Sequence, residues 1–317
     1  MQIPLLLLLP FVSFVVTYAL TPQLIARLER AEVTGRDLHR KETPKVPQMG
    51  GVSVFLGFAV ALGFSGLMDL NDRYMFTILL SSCLGTIIGI LNDLLSFGKK
   101  ASVAATLMTG IPVAMFRTGS SVVYSTPLGH LDLGYVFWVL VPFAFAFVVN
   151  GVNIYAGFNG LEAGLALVTS FFLGISALLY GSIESALALL ILAGSLLAFL
   201  RWNFFPAKVF IGDCGTYFIG TVLISAVVVG TIKIVGIIAF TPYLINLVLR
   251  ARDRFSWTVG GIEEKGRVVS GRLNALWAMF IYRHPLAEKR LVIYCIGLQS
   301  IFGMLALIFS YISTYSS

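Results

Sequence analysis

Charge is scarce in this chain. Only 12% of its 317 residues are Asp, Glu, Lys or Arg, where a soluble globular domain carries about a quarter. That shortfall excludes an ordinary water-soluble protein, so lipid must form part of the solvent. Cysteine is scarce too. Cys83, Cys214 and Cys295 stand alone, without the spacing of a thiolate metal site or a redox pair, and read as small apolar packing residues. The first twenty residues lack the basic n-region of a signal peptide, and further apolar runs follow them, so they are expected to form a retained helix.

What is present is apolar surface: 58% of residues are hydrophobic and the mean hydropathy is +0.91. A helix needs roughly 20 apolar residues to cross a bilayer, fewer where flanking side chains snorkel. Runs that meet this are 3–20, 50–68, 74–91, 101–116, 134–149, 161–180, 185–200, 214–230, 234–249 and 291–311. The expected fold is therefore an all-α integral membrane protein of about ten transmembrane helices, a single polytopic domain over residues 1–317. The stretch Leu273–Tyr282 is too short to cross and is expected to lie in the interface or to cover a site.

The excess of seven positive charges would suit nucleic acid, anionic lipid or an anionic substrate. Its distribution decides. The loops 21–49, 92–100, 150–160, 201–213 and 250–290 hold 19 of the 22 Lys and Arg residues, and the opposite loops hold only Arg73, Arg117 and Lys233. The positive-inside rule makes the rich side cytoplasmic and puts both termini outside, with no nucleic-acid partner expected. No charged residue falls in the middle of a proposed span; only Glu162 lies just inside one end. Ion-coupled transporters and pumps usually carry such a residue at membrane depth. The pattern suits an enzyme that joins a water-soluble substrate to a lipid at one membrane surface.

The polar residues on that side form four groups. The first loop, Gly35-Arg36-Asp37-Leu38-His39-Arg40-Lys41-Glu42-Thr43-Pro44-Lys45-Val46-Pro47-Gln48-Met49-Gly50-Gly51, has prolines and paired glycines that define a path into the second span. Its basic residues, Lys45 among them, could hold phosphate or simply set topology, and His39 is expected to be a solvated loop residue. After the third span comes Asn92-Asp93, with Lys99 and Lys100 close behind. A carboxylate there can bind Mg²⁺ and a lysine can neutralise phosphate, or the group is a polar helix end with topogenic lysines. The third group runs from Asn150 through Asn153, Gly157, Asn159 and Gly160 to Glu162. Asn150 and Asn153 share a face if the helix continues, and Asn159 with Glu162 resembles a capping box. The fourth holds Gly212-Asp213-Cys214-Gly215, where Asp213 is either a helix cap or a carboxylate left open between glycines to a metal and phosphates. The last loop, 250–290, carries nine basic residues including Arg250, Arg252 and Arg254.

Together, Pro47-Gln48-Met49-Gly50-Gly51, Asn92-Asp93, the run Asn153-Ile154-Tyr155-Ala156-Gly157-Phe158-Asn159-Gly160-Leu161-Glu162-Ala163-Gly164 and the Asp213 segment resemble the polyprenyl-phosphate N-acetylhexosamine-1-phosphate transferases of glycosyltransferase family 4. The third run looks most like the eukaryotic and archaeal branch that uses UDP-GlcNAc and dolichyl phosphate. The resemblance covers nearly the whole chain and implies Mg²⁺-dependent attack of a polyprenyl phosphate on the β-phosphorus of a UDP-sugar. It implies Asp213 and Asn153 as metal ligands, Asp93 acting beside them, Lys100 on phosphate, Asn159 reading uracil, and Asn150, Gly160 and Lys45 in the substrate site. Arg252 and Arg254 are carried as substrate contacts only by their place in the last loop, because the branch's arginine motif has no clear copy there. Two departures stand out. The family's usual first aspartate after the third span is Asn92, and the last-loop histidine cluster of the bacterial branches is missing, which argues against a muramyl-pentapeptide substrate. The rivals are a relative using another UDP-sugar or polyprenol, a transporter or scramblase on a similar frame, and an inactive relative. A homodimer is carried as an open expectation, since the sequence has no signal for oligomeric state.

Overall fold

The computed structural model describes residues 2–40, 42–65, 72–126, 129–254, 262–263 and 267–315. Helices dominate. In chain order they are α1 (Gln2–Arg30), α2 (Gly51–Phe64), α3 (Asp72–Leu95), α4 (Lys99–Leu107), α5 (Ile111–Phe116), α6 (Gly134–Ile154), α7 (Leu161–Leu179), α8 (Ile183–Asn203), α9 (Gly212–Val229), α10 (Lys233–Arg252), α11 (Ala278–Ile281) and α12 (Glu288–Tyr315). The strands are short antiparallel pieces between them: β1 (Thr34–Arg36) with β2 (Lys45–Pro47), β3 (Val122–Thr126) with β4 (Gly129–Asp132), and β5 (Ile262–Glu263), β6 (Arg267–Val268) and β7 (Leu286–Ala287) in one small sheet.

Among the described residues eight helices are long and apolar enough to cross a membrane: α1, α3, α6, α7, α8, α9, α10 and α12. The other two expected spans are shorter. The run 50–68 gives the 14 residues of α2, and its last residues, 66–68, lie outside the described ones. The run 101–116 is broken into α4, a single 3₁₀ turn at Met108–Gly110, and α5, which ends where Arg117 turns left-handed. Gly110 and Pro112 mark that break, since glycine weakens a helix interior and proline removes a backbone donor.

The innermost helix is α9, with 89% of its apolar window buried inside the protein. It packs against α3, α6, α8 and α2. Close approach is what places the polar residues. A Cβ on Gly51 would collide with the backbone of Gly215, and one on Gly89 with the backbone of Asp213 and Cys214. These glycines let α2 and α3 lie directly on the first turn of α9, which brings Asn92 and Asp93 to Asp213.

Candidate active site

At one end of the bundle the C-termini of α3, α6 and α8 meet the N-termini of α7 and α9. The path Pro47–Gly51 is zipped to the loop before α9: Phe210 N–H donates to the Pro47 carbonyl, and Gly50 and Gly51 N–H donate to Phe210 and Ile211 carbonyls, each at 2.8 Å. The β1–β2 hairpin is thereby held over the end of the bundle. Between the hairpin, the α6–α7 loop and the α8–α9 loop lies a cavity of about 340 Å³ whose lining includes Arg36, Asp37, His39, Gln48, Asn153, Asn159, Asp213 and Thr216.

The two aspartates have distinct jobs. The residue before α9 is Ile211, with no side-chain cap, so Asp213 is not the cap of its own helix. Asp93 takes that part from α3: its Oδ1 accepts the Asp213 N–H at 3.0 Å and its Oδ2 the Cys214 N–H at 2.9 Å. Gln48 Nε2 donates to the same Oδ1 at 3.0 Å. A negative charge at a helix N-terminus is favoured by both the unpaired amides and the dipole. Asp213 is left to face the cavity, with its Oδ2 accepting from the Asn92 amide. Asn92 itself is tied down, since its Oδ1 accepts Phe97 N–H at 3.1 Å and the Ser102 hydroxyl at 3.0 Å.

The asparagines also separate. α6 runs through both Asn150 and Asn153. Asn153 lines the cavity and its Oδ1 accepts the Thr216 hydroxyl at 3.0 Å. Asn150 is buried and bonds Thr106 Oγ1 at 2.8 Å and the Ala146 carbonyl at 2.7 Å, tying α6 to α4 away from the cavity. Asn159 is buried at the cavity wall, where its backbone N–H donates to Glu288 at 2.7 Å and its Nδ2 to Asp37 Oδ2 at 3.0 Å. The capping box does not form. Gly160 is the residue before α7, left-handed and pressed against Phe204, and Glu162 instead accepts the Gly157 N–H at 3.1 Å.

His39 is not a solvated loop residue. It is half-buried, stacked on Phe158 with ring centroids 4.4 Å apart. Burial pushes its pKa below the usual histidine value, while a bond to the Gly157 backbone and the charge of Asp37 pull it up. The short stretch 273–282 does cover this wall: Trp277 packs edge-on against Phe158 at 5.0 Å, and Arg250 sits over the Trp277 ring.

The cavity thus gathers Asp213, Asn153 and Asn159, with Asp93 directly behind. Lys45, Lys100, Arg252 and Arg254 are exposed and outside its lining; Lys45 pairs across the hairpin with Arg36, the basic residue that does line it. Much of the last loop, 255–261 and 264–266, lies outside the described residues. Sequence reasoning passed over Asp37, Gln48, Thr216 and Glu288. The available signal was an aspartate within a basic loop and a glutamate opening an apolar span.

Comparison with known proteins identifies the family. A protein of Sulfolobus acidocaldarius, provisionally named UDP-N-acetylglucosamine–dolichyl-phosphate N-acetylglucosaminephosphotransferase, is 30% identical over 315 residues, 96% of each chain. A protein of the same provisional name from Saccharolobus solfataricus is 27% identical over 97% of this chain and 98% of its own. The phospho-N-acetylmuramoyl-pentapeptide-transferase of Clostridium perfringens is 31% identical over 75% of this chain and 76% of its own. The profile of glycosyl transferase family 4 matches residues 75–231, the stretch that carries Asn92, Asp93, Asn153, Asn159 and Asp213. The chain belongs to glycosyl transferase family 4.

Proposed function

We propose that the protein transfers GlcNAc-1-phosphate from UDP-GlcNAc to dolichyl phosphate or a related polyprenyl phosphate, releasing UMP, as the first step of lipid-linked oligosaccharide assembly for N-glycosylation. The observation that carries this reading is the near full-length match to the two archaeal relatives so named. The polar cavity at one end of an otherwise apolar bundle supports it. The charge distribution, with 19 of 22 Lys and Arg residues on that side, supports a site facing the cytoplasm with both termini outside.

In this reaction an oxygen of the lipid phosphate attacks the β-phosphorus of the UDP-sugar. The bond from that phosphorus to the bridging oxygen breaks, and UMP leaves with the electron pair. Two anions must meet, so charge neutralisation and alignment dominate the barrier. The oxygen donors facing the cavity, the Asp213 carboxylate and the Asn153 amide, fit Mg²⁺, which takes one or two carboxylates and completes its shell with phosphate oxygens and water. When bound there, Mg²⁺ would neutralise charge on the diphosphate. Asn92 orients the Asp213 carboxylate, Thr216 orients the Asn153 amide, and Asp93 fixes the turn that carries Asp213. Arg36 adds positive charge at the cavity wall. Asn159, buried at the cavity wall, is the reader of the base that the motif resemblance implies. A phosphate monoester is already mostly ionised at neutral pH, so the acceptor needs no strong base, and Asn92 in place of a carboxylate is compatible with activity.

The test is nucleotide release by the purified protein. UMP should appear from UDP-GlcNAc only when dolichyl phosphate is present. Release of UDP, or of no nucleotide, would contradict the reading; the latter is what a transporter or scramblase would give.

A further inference from the structure

We infer that Asp37 selects the base: it holds the Asn159 amide so that the carbonyl, not the NH₂, faces the cavity, and so admits uracil over cytosine. The inference rests on the uridine-nucleotide reading of the cavity. Both side chains are buried, Asp37 at 3% and Asn159 at 4% exposure, and both line the cavity. Asp37 Oδ2 accepts Asn159 Nδ2 at 3.0 Å, while its Oδ1 accepts the His39 backbone N–H at 3.2 Å. A carboxylate accepting at both oxygens can receive only the NH₂ end of a neighbouring amide. Oδ1 of Asn159 is then the atom left for a ligand, and no donor among the described residues bonds it. The backbone of Asn159 cannot swing away either, since its N–H is held by the buried Glu288 at 2.7 Å.

The edge chemistry of the pyrimidines turns that orientation into specificity. Uracil presents an N3–H donor, and cytosine presents a bare N3 acceptor at the same place. A fixed carbonyl pairs with the first and meets the second lone pair to lone pair. Asp37 is thus a positioning residue, acting through Asn159.

The geometry makes a sharp test, because Asp37→Asn should invert the amide. The His39 N–H is a fixed donor and demands an oxygen. The NH₂ introduced by Asp37→Asn must therefore face Asn159, whose amide turns to offer Oδ1 and presents its NH₂ to the cavity. Dissociation constants of UMP and CMP, measured on the purified full chain, read this directly. The wild type should prefer UMP by at least about tenfold, the scale of one oriented hydrogen bond to a base edge. Asp37→Asn should bring the ratio to unity or below, and Asp37→Asn combined with Asn159→Asp should restore it by exchanging donor and acceptor across the pair. If Asp37→Asn does not fold, Asn159→Ser removes the oriented carbonyl without adding charge and should collapse the same ratio. A purely structural tie would weaken UMP and CMP alike. A folded Asp37→Asn or Asn159→Ser protein that keeps the wild-type ratio would overturn the inference. A wild-type protein that binds neither UMP nor UDP-GlcNAc would overturn the functional reading beneath it.

Discussion

Asp93, at the end of α3, closes the first turn of α9 by accepting the backbone N–H groups of Asp213 and Cys214, 120 and 121 residues further along the chain. One aspartate thereby sets where the other stands. Asp93→Ala should lower thermal stability in detergent by about 1–2 kcal/mol, as loss of a helix cap does, and should lower UMP release at the same time. Asp93→Asn, which keeps one acceptor, should fall between. Activity abolished with an unchanged unfolding temperature would show that Asp93 acts on the substrate directly.

Asn92 donates its amide to the Asp213 carboxylate. Asn92→Asp replaces that donor with a second carboxylate at hydrogen-bonding distance, so it removes a favourable contact and adds repulsion. UMP release across pH 6 to 9 at saturating Mg²⁺ should be unchanged or lower. General-base catalysis is worth about 10²–10⁴-fold, so a hundredfold gain would mean that the missing first aspartate is a base after all.

Asn150 joins α6 to α4 through Thr106. Asn150→Ala should cost about 1 kcal/mol of stability, the net worth of a buried hydrogen bond, and leave KM for UDP-GlcNAc within twofold. A tenfold rise in KM with unchanged stability would place Asn150 in the substrate site.

A single cysteine at position 252, introduced after the three native cysteines are replaced, tests orientation. It should resist an impermeant maleimide added from outside and react once the membrane is opened. Labelling from outside would reverse the topology.

The bundle was legible from apolar run length alone wherever a span is unbroken, as in α3, α6 or α8. It was not legible at 101–116, where hydropathy cannot register the 3₁₀ turn that divides α4 from α5. Within the site, Asp213, Asn153 and Asn159 stood out because polar residues between apolar spans need a reason. Asn150 and Asn153 looked alike by that criterion. Their fates differ because positions three apart on a helix differ by about 60° in direction: one meets Thr106, the other the cavity. Lys45, Lys100, Arg252 and Arg254 are exposed and outside the cavity lining, and the sequence alone does not separate a basic residue that would set topology from one that would hold phosphate. Asp37 showed only as an aspartate within a basic loop, for a different reason. Its partner is 122 residues away, and only the folded chain brings the two together.

The central claim is that the Asp213 carboxylate, presented by the capped start of α9, carries the charge on which phosphoglycosyl transfer depends. Asp213→Asn keeps the side chain's size and removes that charge. UMP release from UDP-GlcNAc with dolichyl phosphate and Mg²⁺, compared for the two proteins at equal unfolding temperature, measures it. The account predicts a loss of about a hundredfold or more, the scale of removing one preorganised electrostatic group from an active site. Turnover in Asp213→Asn within a few-fold of the wild type would contradict it.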